Sequence, residues 1–219
     1  MDDDKLRFER NWWGAHPGGG LAGVDEAGRG CLAGPVVAGS VMMPPELAEE
    51  LYRGPLAGLN DSKQLSAARR EAFFEILTAT PSVAAATGAC SPREIDEMNI
   101  LRATHLAMRR AVEALPQLPD YVLVDGLPVK GLPVESQAIV KGDAKSFLIA
   151  AASVMAKVTR DRLMVQLHEK YPAYRFDSNK GYGAKEHLAA LGKFGACPEH
   201  RHTFGPVRDV EETLPGLFE

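Results

Sequence analysis

The sequence is poor in cysteine and has no pattern in which to use it. Cys31, Cys90 and Cys197 are an odd set with no C-x-x-C spacing. That excludes a zinc site or a disulfide scaffold and leaves free thiols suited to a reducing compartment. The chain also lacks a run of the roughly 20 apolar residues that a membrane-spanning helix requires. The opening Met1-Asp2-Asp3-Asp4-Lys5 is acidic and has no signal-peptide pattern, so a cytoplasmic location with no membrane partner is expected. No Ser/His/Asp arrangement stands out. Gly28-Arg29-Gly30 reaches Gly34 with the wrong spacing for a dinucleotide fingerprint and leads into a strand-like segment rather than a helix.

What is present is enough for one good core: 219 residues, 45% of them hydrophobic. The net charge of −4 is unevenly spread. Residues 141–208 carry 12 Lys/Arg against 6 Asp/Glu, and the remainder is strongly acidic. A basic C-terminal third is consistent with phosphate contacts, and equally with ordinary solvated charge.

The stretch Gly23–Gly34 organises the chain. An apolar run ends in two adjacent carboxylates, Asp25 and Glu26, followed by Gly28-Arg29-Gly30 and a second apolar run, Pro35 to Met43. The pattern predicts strand, acidic strand end, glycine turn, strand. Crowded carboxylates repel, and a hard divalent cation with oxygen ligands, such as Mg²⁺, relieves the repulsion. Neighbours on a regular strand point to opposite faces. Asp25 and Glu26 are therefore expected to share a site only if the chain leaves strand geometry there, which the glycines permit.

Tyr121–Gly126 repeats the logic, a buried apolar strand ending in Asp125 and a glycine; an Asx-turn is the plain alternative. Asp143 stands ahead of a helical pattern from about Ser146 to Glu169, where it also suits a helix N-terminus. On that helix Ser153, Lys157 and Asp161 share a face, and Lys157 with Asp161 also reads as a surface ion pair. Ser66 predicts an N-cap for a helix through about Thr78, and Ser91-Pro92-Arg93-Glu94 a capping box. The apolar face of residues 99–115 predicts a helix there. Tyr182 lies between glycines in Asn179-Lys180-Gly181-Tyr182-Gly183, a rigid aromatic suited to stacking or to packing as a plug. Trp12 and Trp13 predict an arm that docks by its indoles.

These motifs resemble type 2 ribonuclease H, the ribonuclease HII family. The DEAGRGxLAGPVV signature corresponds to Asp25–Val37, DSKxLS to Asp61–Ser66, ASxxAKVTRD to Ala152–Asp161, NKGYG to Asn179–Gly183, and HRxSF to His200–Phe204 with Thr203 in place of Ser. The resemblance implies an α/β fold: a mixed five-stranded sheet flanked by helices, with a helical C-terminal part from about residue 165. It divides the chain into an arm (1–19), a catalytic domain (20–208) and a tail (209–219). It implies an endonuclease for the RNA strand of RNA–DNA hybrids and for single ribonucleotides in duplex DNA, acting through one or two Mg²⁺ or Mn²⁺ ions. Asp25, Glu26, Asp125 and Asp143 would be the catalytic metal ligands. Gly28, Arg29, Gly30, Asn60, Ser62, Lys63, Ser153, Lys157 and Tyr182 would contact the substrate. The alternatives are a ribonuclease HIII-like nuclease, against which the 22 residues preceding Gly23 and the Asp at 143 argue, and a non-catalytic duplex-binding module. A monomer is expected. The tail Leu214–Phe218 loosely resembles clamp-binding peptides, beside the simpler reading of a tail docked on its own domain.

Overall fold

A computed structural model of the chain describes residues 4–59 and 65–213. In chain order the elements are α1 (Arg7–Ala15), β1 (Leu21–Ala27), β2 (Val36–Met42), α2 (Pro45–Arg53), α3 (Ala67–Ala79), β3 (Ala84–Cys90), α4 (Pro92–Met98), α5 (Ile100–Glu113), β4 (Tyr121–Asp125), β5 (Glu135–Ile139), α6 (Phe147–Lys170), α7 (Phe176–Asn179), α8 (Lys185–Phe194) and α9 (Gly205–Thr213). The two runs around the glycine turn form an antiparallel hairpin, β1 on β2, and β3 extends it antiparallel. On its other side β1 runs parallel to β4, and β4 parallel to β5. The result is a mixed five-stranded sheet in the order β3-β2-β1-β4-β5, as expected.

Strand alternation sends Leu21, Leu123 and Val41 to one face, packed with α6, and Ala22, Val24, Val122 and Val124 to the other, packed with α5. The N-terminal part of α6, Phe147 to Ala156, is buried all round. Such a helix needs partners on every side. The sheet covers one side, and Leu6, Trp13, Leu51, Phe73 and Leu77 from α1 to α3 and their connections cover the other. The contact with the sheet is close because the strands present glycines. A Cβ on Gly23 would overlap the main chain at Leu148, and one on Gly39 the carbonyl of Ala152.

The caps behave as the sequence predicts. Ser66 accepts from the Arg69 N–H, and Ser91 with Glu94 forms a complete capping box. One helix differs: the segment after Ser91 breaks at Asn99, whose φ of 71° ends α4 and whose side chain caps α5. The arm is also more ordered than a docking strap. It forms α1, with Trp13 in the core and Trp12 stacked on Tyr121 at 5.9 Å. Its Glu9 is buried and caps α6 from 137 residues away, accepting from the Ser146 hydroxyl at 2.6 Å and the Leu148 N–H at 3.0 Å.

The C-terminal elements lay a small second core across the outer end of the hairpin. Tyr174, Phe176, Ala190 and Cys197 pack on Ala33 and Met164, so the C-terminal part reaches the glycine turn. Among the described residues no helix is long and apolar enough to cross a membrane.

Candidate active site

The register of β1 and β4 brings the first two carboxylates together. Val24 pairs with Val124 across parallel strands. Asp25 and Asp125 therefore follow side by side on the face that carries α6, with strand axes about 4.8 Å apart. Asp25 is buried and receives hydrogen bonds from the Glu26 N–H, at 2.6 Å, and from the Ser153 side chain on α6. Burial, then the like charges of Glu26 and Asp125, hold its carboxyl well above the ordinary carboxylate range. Burial also raises Glu26, against the pull of Arg29, whose Nη1 lies 3.2 Å from Oε1. Asp125 accepts from the Gly142 N–H at 2.6 Å, which ties its strand end to the turn carrying Asp143. The Asp143 carboxylate folds back on its own turn, accepting from the Ala144 N–H at 2.9 Å.

One expectation needs correction. The chain does not leave strand geometry at Asp25–Glu26, because β1 stays paired with β2 through Ala27 opposite Val37. The two side chains depart from opposite faces. They nevertheless reach one cleft, since the pairing with β4 ends at Val24 and leaves the strand end open. That cleft, ≈ 140 Å³, is lined by Asp25, Glu26, Ala27, Gly28, Arg29, Gly30, Ser153, Lys157 and Tyr182. Asp125 and Asp143 are not part of its lining; the Asp125 carboxylate acts electrostatically on Asp25 and Glu26, and Asp143 sits on the turn that Asp125 holds through the Gly142 N–H.

Among the described residues no three Asp, Glu, His or Cys side chains are gathered closely enough to make a closed metal shell. The chemistry of the set still fits a hard cation. All the donors are carboxylate oxygens, and Asp25 is buried with like charges beside it that a divalent ion would neutralise. A larger groove of ≈ 460 Å³ lies between α3 and α6, lined by Arg70, Glu71, Asp161, Arg162 and Lys180 among others. Its charges are of both signs and none of the four carboxylates enters it, so the small acidic cleft is the candidate site.

Two buried arginines build the wall of that cleft. Arg160 on α6 donates to the carbonyls of Pro35 (2.9 Å), Lys180 (2.8 Å) and Ala33 (3.0 Å). Arg201 donates to those of Gly28 (2.7 Å), Arg29 (2.9 Å) and Gly34 (3.0 Å). Desolvation lowers Arg201 to about 10, so it remains charged at neutral pH. The glycine turn is thus held by its carbonyls, while the two guanidiniums find their hydrogen bonds in main chain. Gly28 has φ +94°, and a Cβ there would overlap the Arg160 guanidinium. Asp96 on α4 steadies the strap that carries Arg201, accepting from the His202 N–H at 2.9 Å and the Thr203 hydroxyl at 2.6 Å. A hydroxyl is all that contact needs, which accounts for Thr203 in place of Ser.

Tyr182 stands across the cleft, 41% exposed, with the Lys157 ammonium 6.0 Å from its ring centroid. Lys157 also pairs with Asp161 at 2.7 Å. The Tyr182 side chain hydrogen-bonds the buried Cys31 thiol. Of the substrate contacts expected from sequence, Gly28, Arg29, Gly30, Ser153, Lys157 and Tyr182 meet here; Asn60, Ser62 and Lys63 lie outside the described residues. The sequence reading assigned no cleft-building role to Arg201, His187 or His200. For Arg201 the signal, a buried guanidinium bonded to main chain 172 and 173 positions away, exists only in three dimensions; the two histidines bond to each other and to main chain close by in sequence.

The sheet order and flanking helices are those of a ribonuclease H fold. The ribonuclease H2 of Pyrococcus horikoshii superposes with a TM-score of 0.73 at 30% identity, covering 89% of this chain and 98% of that one. The ribonuclease HII of Archaeoglobus fulgidus, solved in complex with PCNA, superposes at 0.67 with 26% identity, covering 84% and 95%. The family model for ribonuclease HII matches residues 22–207. A ribonuclease HII of Paracidovorax citrulli is 57% identical over 195 residues, 88% of this chain and 77% of the relative. The chain belongs to the ribonuclease HII family. It is a ribonuclease H endonuclease, a hydrolase directed at RNA–DNA hybrids.

Proposed function

We propose that this enzyme also nicks duplex DNA on the 5′ side of a single embedded ribonucleotide, leaving 5′-phosphate and 3′-hydroxyl ends. One observation carries the reading: the acidic strand end, the Gly28–Gly30 turn and the Tyr182 ring line a single cleft. Asp25, Glu26, Asp125 and Asp143 would hold one or two Mg²⁺ or Mn²⁺ ions. Such ions, when bound, supply the Lewis acidity that activates water and stabilises the leaving 3′-oxygen.

The protein's own groups do the rest. Ser153 and the Glu26 N–H orient Asp25, and the Gly142 N–H orients Asp125. Main-chain groups of Gly28-Arg29-Gly30 approach the 2′-hydroxyl, the one group that separates RNA from DNA. The Tyr182 ring packs on the deoxyribose of the next residue. Ser153 and Lys157 meet backbone phosphate, with Lys157 exchanging Asp161 for the substrate. Asn60, Ser62 and Lys63 extend that grip on the strength of their motif alone. A clamp interaction through Leu214–Phe218 is supported by the archaeal relative's complex with PCNA; those residues lie outside the described ones. The enzyme works as a monomer in the cytoplasm, where its three free, buried thiols would persist.

The test is a DNA duplex containing one ribonucleotide, incubated with Mg²⁺, Mn²⁺ or chelator beside an Asp125→Asn variant. A single metal-dependent nick 5′ to the ribonucleotide, absent in the variant, is expected. Cleavage of RNA–DNA hybrid with none at the single ribonucleotide overturns the junction reading. Binding without cleavage of either duplex overturns the catalytic assignment.

A further inference from the structure

Beneath Tyr182 lies a pair of histidines that the mechanism above does not use. His187 on α8 and His200 on the following strap are both fully buried. Their Nε2 atoms are 3.0 Å apart. His187 Nδ1 is 2.8 Å from the Tyr182 carbonyl, and His200 Nδ1 is 3.0 Å from the Cys197 N–H.

The chemistry of these contacts fixes every proton. A carbonyl only accepts, so His187 carries its hydrogen on Nδ1 and presents a bare Nε2. That atom accepts from His200, which therefore carries its hydrogen on Nε2. The bare Nδ1 of His200 in turn accepts from the Cys197 N–H. Running the chain the other way would send His200 Nδ1–H to the Cys197 carbonyl at 3.3 Å. It would also leave two lone pairs facing each other 2.8 Å apart at Tyr182. A proton added to either ring would set two N–H groups head to head. The pair is neutral, and it has one direction.

The groups facing it are Tyr174, whose ring meets His200 at 4.8 Å, Phe176, 5.3 Å from His187, and the thiol of Cys197, 3.2 Å from His200 Nδ1. The Tyr174 hydroxyl is committed to the Gly195 carbonyl, and His202 bears on His200 electrostatically from the strap.

His200 is followed by Arg201, the residue that holds the Gly28 and Arg29 carbonyls. Two consecutive residues therefore reach the two walls of the cleft, one through a guanidinium and one through a relayed hydrogen bond. We propose that His187 and His200 are positioning residues which hold Tyr182 at a fixed separation from the Gly28–Gly30 turn, and so set the preference for a ribonucleotide followed by deoxyribose. This rests on the reading of Tyr182 as the platform for that deoxyribose.

The test compares His187→Leu, which removes the donor, with His187→Asn, whose amide replaces the Nδ1–H. Tyr182→Ala is the reference. The readout is the ratio of kcat/KM on a single-ribonucleotide duplex to that on an all-RNA hybrid, with nitrogen NMR of the imidazoles in the parent. Expected are a proton on Nδ1 of His187, and a ratio lowered about tenfold by H187L, the scale of one positioned hydrogen bond. H187N should recover most of it. Should H187L fail to fold, His187→Phe, which keeps a ring and loses the donor, is read in its place beside the parent spectrum, with the same loss expected. A proton on Nε2 of His187, or an unchanged ratio in H187L while Y182A loses it, overturns the relay and leaves the Tyr182 reading intact. An unchanged ratio in Y182A overturns that reading and the positioning role with it.

Discussion

Asp25 and Asp125 are neighbours across two parallel strands, one step beyond the Val24–Val124 pair. Like charges placed in this way destabilise a sheet, and Asp25 is buried as well. The metal-free protein therefore holds its site at a cost to its stability. Asp25→Asn is expected to raise stability in chelator by about 1–2 kcal/mol, a Tm gain of roughly 2–4 °C per kcal/mol in a chain of this size. Added Mn²⁺ should raise the parent's Tm and leave that of the variant unchanged. Calorimetry in chelator and in metal reads both effects; a lower Tm for the variant in chelator contradicts the argument.

Gly28 and Gly30 stand two residues apart and serve different ends. At Gly28 the backbone has φ +94° and a Cβ would overlap Arg160, so Gly28→Ala should cost ~3 kcal/mol or more. At Gly30 a Cβ meets nothing within 4 Å. Gly30→Ala should therefore leave Tm nearly unchanged while adding bulk to the cleft wall. Its kcat/KM on a single-ribonucleotide duplex should fall by roughly ten- to a hundredfold. Thermal melts paired with cleavage rates separate the two; a stable, active Gly30→Ala would remove the reason for a glycine there.

Glu9 offers a stability test far from the cleft. Removing its carboxylate leaves the Ser146 hydroxyl and the Leu148 N–H without their acceptor in a buried position. Glu9→Ala should cost about 2–3 kcal/mol. Glu9→Gln, which keeps one acceptor oxygen, should cost less. Urea melts of the two variants check the order.

The histidine pair has a signature in acid. Burial lowers both rings, His200 to about 4 from an ordinary 6.5. Between those values the unfolded chain binds protons that the folded one refuses, so stability falls as pH drops from about 6.5 to about 4. The raised carboxyls of Asp25 and Glu9 act with the opposite sign. They are common to the parent and to a His187→Asn/His200→Gln double variant, so the comparison cancels them. The parent should lose Tm more steeply than the double variant across this window. Equal slopes would mean the histidines already titrate normally in the fold.

How far the sequence could be read follows the range of the interaction involved. The strands, the Ser66 and Ser91 caps and the acidic strand ends were legible because each rests on a few consecutive residues. The break at Asn99 was not legible, because the apolar periodicity of residues 99–115 continues the helix begun at Ser91 and nothing local announces the left-handed backbone that ends α4 and caps α5. The shared cleft of Asp25 and Glu26 was legible in outcome and wrong in cause. The strand does not bend; its parallel partner stops short. An orienting role for Arg160 was legible from its motif, but its acceptors and the role of Arg201 were not, because those acceptors are carbonyls, and carbonyls have no sequence.

The bond from Arg201 to the Gly28 carbonyl spans 173 positions. A contact between residues so far apart in sequence pays loop-closure entropy before it is rewarded. A chain ending before position 200 would contain all four carboxylates and lack the strap that steadies the glycine turn. Under the proposed reading such a polypeptide would carry the metal ligands without the contacts that hold the turn facing Tyr182, so that aim would be the last property the growing chain acquires.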